Sequence, residues 1–312
     1  MSNMKKLLSI LLALGLMMTL LAACNQEEAT DTEDAAEAGT ERIVETTVYN
    51  EQENPESVIL VVSFGTSYND SRPKTIGGIE SAIAKAFPDY EVRRAFTSQI
   101  IIDKLAERDN IDIDNVEEAL ERAAADEVKN LIVQPTHLMN GYEYTDLRDT
   151  LEKYSSQFQS IKLGEPLLTS DADYDAVIKA ITEDMKDYDD GNTAIAFMGH
   201  GTEAESNAVY AKLQQKITAA GYKNFVIGTV EATPSIDDVI KFAKDGGYKR
   251  VALHPLMVVA GDHANNDMAG DEEDSWKSLL TAEGFEVVTV IEGLGQNEAI
   301  QQLYVQHVSA LL

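Results

Sequence analysis

The sequence predicts an α/β protein of two similar domains, each a parallel β-sheet flanked by helices, with an active-site cleft between them. Short runs of Val, Ile and Leu alternate with helix-length stretches, and the alternation passes through the chain in two successive series. Loops after corresponding strands of the two series also repeat the same residues at the same offsets. Parallel strands need a long crossover, usually a helix, so this alternation predicts parallel sheets covered by helices.

The first series is preceded by other kinds of sequence. Lys5 and Lys6 stand before an apolar run over 7–21, which closes on Leu21-Ala22-Ala23-Cys24. That is the order of a secretory signal, and the run is too short for a dependable membrane span. A cysteine directly after Leu-Ala-Ala resembles a bacterial lipobox. Residues 1–23 are therefore read as a lipoprotein signal peptide and Cys24 as the lipidation site. Cys24 is the one cysteine of the chain, so no thiol is left for a disulfide or a metal, and the fold must be held by its core. Residues 24–55 are rich in Glu, Asp, Ala and Thr without apolar periodicity, the composition of a flexible acidic tether. The mature protein is expected outside the cytoplasm, held on a bacterial membrane by its N-terminal lipid.

The first α/β half is expected over 56–190. Its strands are placed at 58–62, 91–96, 131–134 and 161–164, with helices over 73–86, 98–107, 114–125, 144–154 and 172–186. The second half, 191–312, has strands at 193–198, 225–230, 250–254 and 286–291, with helices over 205–220, 235–244, 272–283 and 297–311. Val58-Ile59-Leu60-Val61-Val62 is apolar at every position, as suits a strand covered on both faces. The first strand of one half runs into Ser63-Phe64-Gly65-Thr66 and that of the other into Gly199-His200-Gly201-Thr202. Pro135 is followed by Gly141 and Glu143 at offsets of six and eight, and Pro255 by Gly261 and His263 at the same offsets. Matching loops at the carboxyl ends of matching strands place the chemistry in a cleft between the halves.

Charge narrows the partners. The chain carries 25 basic and 54 acidic residues, a net of −29. Removing residues 1–23 takes away two lysines and no acid, leaving −31. Nucleic acid is excluded as a partner, since phosphate binding needs concentrated Lys and Arg. Cations are drawn toward such a surface. A homo-oligomer is compatible with the sequence.

Five histidines are present. His307 falls in the terminal helix and reads as a surface or packing residue. His254, inside a strand beside Pro255, reads as a satisfied core residue. His137, His200 and His263 follow or end strand-like runs and lie in glycine-rich or polar loops, where a side chain can be presented. Glu231 follows the strand ending at Val230. His200, Glu231 and His263 thus fall at strand ends of one half, and two imidazoles with a carboxylate suit a borderline divalent ion such as Co²⁺, Ni²⁺, Fe²⁺ or Zn²⁺. Their spacing alone does not form a local metal motif.

Longer stretches carry a resemblance. Val61-Val62-Ser63-Phe64-Gly65-Thr66-Ser67, Arg94-Ala95-Phe96-Thr97-Ser98, Phe197-Met198-Gly199-His200-Gly201, the run from Pro255 to Ala269 containing Gly261-Asp262-His263-Ala264-Asn265-Asn266-Asp267, and Asp274-Ser275-Trp276-Lys277 occur in order across 57–312. In these the chain resembles the anaerobic sirohydrochlorin cobaltochelatases, which are ATP-independent. The resemblance implies insertion of Co²⁺ into a tetrapyrrole without a nucleotide, in keeping with the lack of a G-x-x-x-x-G-K-[ST] loop. It implies that His200 is metal ligand and proton acceptor, His263 the second ligand and Glu231 the third, with Glu143 a further catalytic acidic group facing the cleft and His137 just before it. Ser63, Phe64, Thr66, Arg94, Thr97, Ser98 and His137 are candidate contacts to a polycarboxylate tetrapyrrole. Arg93 and Arg94 either meet carboxylates or pair with acids, and Phe64 and Phe96 either lie against the ring or pack, packing being the default. Most of the resembled family is cytoplasmic, so the exported form leaves two alternatives open: a metal-, haem- or tetrapyrrole-binding lipoprotein serving an importer, and a chelatase for Fe²⁺ or Ni²⁺.

Overall fold

A strand that is apolar at every position must be covered on both faces, and the first strand of the series sets the layering in this way. The computed structural model describes residues 48–312. The expected signal peptide 1–23, Cys24 and the expected tether up to residue 47 lie outside the described residues. In chain order the elements are β1 (Val48–Tyr49), β2 (Ser57–Ser63), α1 (Arg72–Ala86), β3 (Glu91–Phe96), α2 (Gln99–Asp109), α3 (Val116–Ala125), β4 (Asn130–Pro135), α4 (Tyr142–Tyr154), β5 (Ser160–Leu163) and α5 (Asp171–Asp184). They continue with β6 (Thr193–Gly199), α6 (Ala208–Ala219), β7 (Phe225–Thr229), α7 (Ile236–Asp245), β8 (Arg250–Pro255), α8 (Trp276–Ala282), β9 (Glu286–Thr289) and α9 (Glu298–Ser309). Val58, Leu60 and Val62 of β2 pack with Leu120 of α3 and Leu147 of α4. Ile59 and Val61 face the other way, among Ile79 of α1, Val177 of α5 and Tyr304 of α9.

Two sheets result, ordered β1-β3-β2-β4-β5 and β7-β6-β8-β9. All pairings are parallel except β1 with β3. With β1 set aside, both sheets have the same strand order, and Pro135 and Pro255 occupy matching places, opposite Val62 and Met198. The inner faces share one apolar core, in which Ile59 and Val61 of the first sheet meet Ile195 and Phe197 of the second through α1, α5, α6 and α9. Helices α7 and α8 cover the outer face of the second sheet, where Val239, Trp276 and Leu280 pack on Ala196 and Met198. Each fully buried aliphatic or aromatic side chain in these layers contributes about 1.5–3 kcal/mol.

The structure departs from the sequence reading in three places. The expected tether ends sooner, because Val48 and Tyr49 pair with Arg93 and Val92. Asn50 then donates its side-chain amide to the carbonyls of Ala84, Phe87 and Tyr90 at the end of α1, and Gln52 N–H bonds the Glu91 carboxylate. A two-residue strand is too short to show a period. The polar loop expected around His263 is instead a π-helical stretch, Ala264–Met268. Finally, α9, expected to belong to the second half, docks on the first. The Tyr304 hydroxyl donates to the Thr136 carbonyl at 2.8 Å, and His307 lies 3.1 Å from Asp173.

Arg94 of β3 is buried against Glu80 of α1, with Nη2 2.6 Å from Oε2 and Nε 2.8 Å from Oε1. Removing one partner of a buried ion pair strands the other charge. Glu80→Ala is expected to cost about 3–5 kcal/mol, read as a lower urea midpoint. An unchanged midpoint would show that this pair does not tie β3 to α1.

Candidate metal centre at the carboxyl ends of the strands

His200 leaves β6 between two glycines for a local reason. Gly201 has φ +87°, and a Cβ there would stand 2.8 Å from the Ala232 nitrogen. Only glycine tolerates both the left-handed backbone and that approach. The loop after β7 can therefore press against the His200 turn. Val230 N–H bonds the Gly199 carbonyl at 3.0 Å, and Glu231 N–H bonds the His200 carbonyl at 2.9 Å. Strand-like pairing thus continues past the ends of β6 and β7 and brings Glu231 Oε2 to 3.8 Å from His200 Nδ1. On the far side of this loop, Thr229 donates N–H and Oγ1–H to the Pro234 carbonyl.

His263 arrives from β8 through a loop fixed by backbone bonds from Leu256 to Met198 and from Leu294 and Gly295 to Met257 and Val258. Its Nδ1 lies 2.7 Å from Asp267 Oδ2, one helical turn on. A carboxylate in that position calls for a proton on Nδ1 and leaves the Nε2 lone pair outward. The His200 ring has the same bias, since its Nδ1 lies 2.8 Å from the Gly201 carbonyl. The two imidazoles stand nearly perpendicular, with centroids 4.7 Å apart.

One ligand atom each from His200, Glu231 and His263 lies within 4.8 Å of the others. Donors about 2.1 Å from a shared ion are separated by at most about 4.2 Å, so small side-chain rotations suffice to close on a cation. The side chains are 48%, 55% and 31% exposed. Three donors on an open rim leave coordination positions free, which distinguishes a site of exchange from a closed structural one.

Glu143 comes from the first half, in the first turn of α4, where the helix N-terminus favours a carboxylate. It lines a pocket of about 310 Å³ with Phe64, Phe96, Thr97, Leu147 and Thr150 among others. Ser206 of the second half borders the same region, since a Cβ on Gly141 would lie 3.7 Å from both Glu143 Oε2 and Ser206 Oγ. Phe64 is 48% exposed, against the default of packing, whereas Phe96 is wholly buried. Thr97 lines the pocket, and Ser98 is the N-cap residue of α2.

Several candidate substrate contacts fall elsewhere. Arg94 does not face the cleft as a carboxylate donor, because Glu80 holds it with its side chain 1% exposed. Arg93 is likewise paired, with Glu91 and Asp126. Ser63 and Thr66 are buried; Ser63 Oγ accepts from Thr136 Oγ1 at 2.8 Å, and Thr66 Oγ1 accepts from Tyr68 N–H. His254 is a core residue, with Nδ1 2.8 Å from the Pro255 carbonyl, and burial lowers its pKa. Sequence reasoning missed Asp267, although His263 and Asp267 stand four apart, the spacing of neighbours on one helical face.

With the geometry in view, fold and cluster define a two-sheet α/β protein with an open His₂Glu cluster that could hold a divalent ion. The family model described as cobalt chelatase (CbiK) matches residues 57–312, and the chain belongs to that family. It is 41% identical over 254 residues to a sirohydrochlorin cobaltochelatase of Salmonella typhimurium, covering 81% of this chain and 96% of the relative. It is 30% identical to the sirohydrochlorin cobaltochelatase CbiKC of Nitratidesulfovibrio vulgaris, covering 81% and 89%. Among solved structures, SirB from Bacillus subtilis with Fe³⁺ shares the fold at TM-score 0.59 and 14% identity, covering 81% of this chain and 94% of that one.

His137 lies just after β4, and neither of its ring nitrogens has a hydrogen-bond partner. Burial lowers its pKa from 6.5 to about 4, partly offset by the Glu143 charge. An unfolded chain takes up this proton below pH 6.5, but the folded one refuses it until about pH 4. The stabilisation is therefore complete above pH 6.5 and is lost as pH falls toward 4. The loss over that window is expected to reach about 3 kcal/mol, and His137→Gln should flatten it. Parallel stability–pH curves for the two proteins would contradict this.

Proposed function

We propose that this chain is a sirohydrochlorin cobaltochelatase, inserting Co²⁺ into the tetrapyrrole without a nucleotide. The carrying observation is the convergence of His200, Glu231 and His263 within 4.8 Å at the exposed carboxyl ends of one sheet. The printed activities of relatives 41% and 30% identical support the same reading.

In this reading Co²⁺ is a substrate, held by the two imidazoles and the carboxylate with part of its shell open to incoming nitrogens. The tetrapyrrole lies between that cluster and the pocket of Phe64 and Glu143. Pyrrole nitrogens replace protein donors one at a time, and two pyrrole protons leave as the metal enters. His200, freed from the ion, accepts one proton at Nε2. Glu143, on the opposite wall, accepts the other. Asp267 keeps His263 in its ligand tautomer throughout.

Mixing the purified chain with sirohydrochlorin and Co²⁺ is expected to accelerate the change in the tetrapyrrole absorption spectrum over the protein-free rate. His200→Ala and His263→Ala should each abolish most of that acceleration while leaving the circular dichroism spectrum intact. Near-normal rates in either variant would remove that residue from the mechanism. Binding of both substrates with no acceleration would assign the chain to a carrier role instead. Fe²⁺ and Ni²⁺ in competition with Co²⁺ fix the metal preference.

Export and lipid anchoring through Cys24 form part of the proposal, supported by the Leu21-Ala22-Ala23-Cys24 pattern. Cys24→Ser is expected to move the protein from the membrane to the soluble fraction of a bacterial host. Retention of the variant in the membrane would rule out a lipid on this residue.

A further inference from the structure

The loop carrying His263 is met from the opposite half of the molecule by side chains of the segment 66–71. Ala260 N–H donates to Ser71 Oγ at 3.1 Å. Thr66 Oγ1 lies 3.4 Å from where a Cβ on Gly261 would stand. The Tyr68 hydroxyl donates to Asp262 Oδ1 at 3.2 Å. That same oxygen accepts from Asn266 Nδ2 at 2.8 Å, and Asn266 also lies beside the tyrosine hydroxyl. The next residue, Asp267, holds His263 Nδ1.

The base of this strut is firmly seated. Ser71 N–H and Arg72 N–H both bond the Tyr68 carbonyl, Arg72 Nη1 donates to the Thr66 carbonyl, and Arg108 Nη2 reaches the Ser67 carbonyl from the end of α2. A half-buried tyrosine with a fixed backbone therefore presents its hydroxyl to the turn that aims a metal ligand.

We propose that Tyr68 is a positioning residue for His263, acting through Asp262, so that the first half of the protein sets how tightly the second half grips the ion. The proposal rests on the reading of His200, Glu231 and His263 as the Co²⁺ site. It predicts an effect on metal affinity rather than on folding, because Tyr68→Phe removes one hydroxyl and keeps the ring.

The test is a titration of the full mature chain with Co²⁺ alone, followed by the visible absorption of the bound ion. Tyr68→Phe is expected to raise the Kd for Co²⁺ roughly three- to tenfold, about what the loss of one typical hydrogen bond amounts to. It should also shift the ligand-field bands and leave the thermal midpoint of the metal-free protein unchanged. In an Asp262→Ala background the same substitution should add nothing, since both changes break one path. Wild-type Kd and spectrum in Tyr68→Phe, or full additivity with Asp262→Ala, would overturn the proposal and leave the chelatase reading standing. A wild-type chain that binds no Co²⁺ would overturn both.

Discussion

The backbone bond from Glu231 N–H to the His200 carbonyl, 2.9 Å long, sets the geometry of the candidate metal centre. It extends the pairing of β6 and β7 beyond the strands and so fixes two prospective donors at one sheet edge without using either side chain. The glycine at 201 makes that bond attainable, because any larger residue would collide with Ala232. Both rings then find carbonyl or carboxylate partners for Nδ1, and the opposite nitrogens are left for a cation. In the proposed reaction, donors set in place by backbone pairing would release an ion without breaking the bonds that hold the fold.

The two sheets show how one scaffold carries unlike chemistry. Phe64 stands after β2 where His200 stands after β6, and each precedes a glycine with positive φ, Gly65 and Gly201. Glu143 follows β4 where His263 follows β8. One half therefore offers an exposed aromatic ring and a carboxylate, the other two imidazoles and a carboxylate. A flat macrocycle with a metal entering from one side and protons leaving from both matches this asymmetry. The pocket around Phe64 is lined by the acidic residues Glu117, Glu143 and Asp146, which would repel the carboxylate fringe of such a ring.

Much of this was legible in the sequence, and the limits have physical causes. Strands buried on both faces announce themselves as unbroken apolar runs, so β2, β4, β6 and β8 could be placed closely. The repeated turn glycines and the equal offsets from Pro135 and Pro255 brought His200, His263 and Glu143 into one frame. Arg94 was misassigned because a buried ion pair depends on where α1 meets β3, which no local pattern encodes. β1 was missed because two residues have no period, and its partners lie about forty residues away in sequence. The π-helical stretch escaped because the polar run from Asp262 to Asp267 reads as loop until the His263–Asp267 bond is seen.

The last helix has a bearing on how large molecules reach the metal. Because α9 rises from the second sheet and sinks Tyr304 and Ile300 into the core shared with the first, the lobes are riveted rather than hinged. Wide opening and shutting, as of a clamshell, would tear that common interior apart. In the proposed reaction a broad planar guest would then slide in along the rim, with small rotations of imidazole and carboxylate, in place of any sweeping closure, handing over the ion.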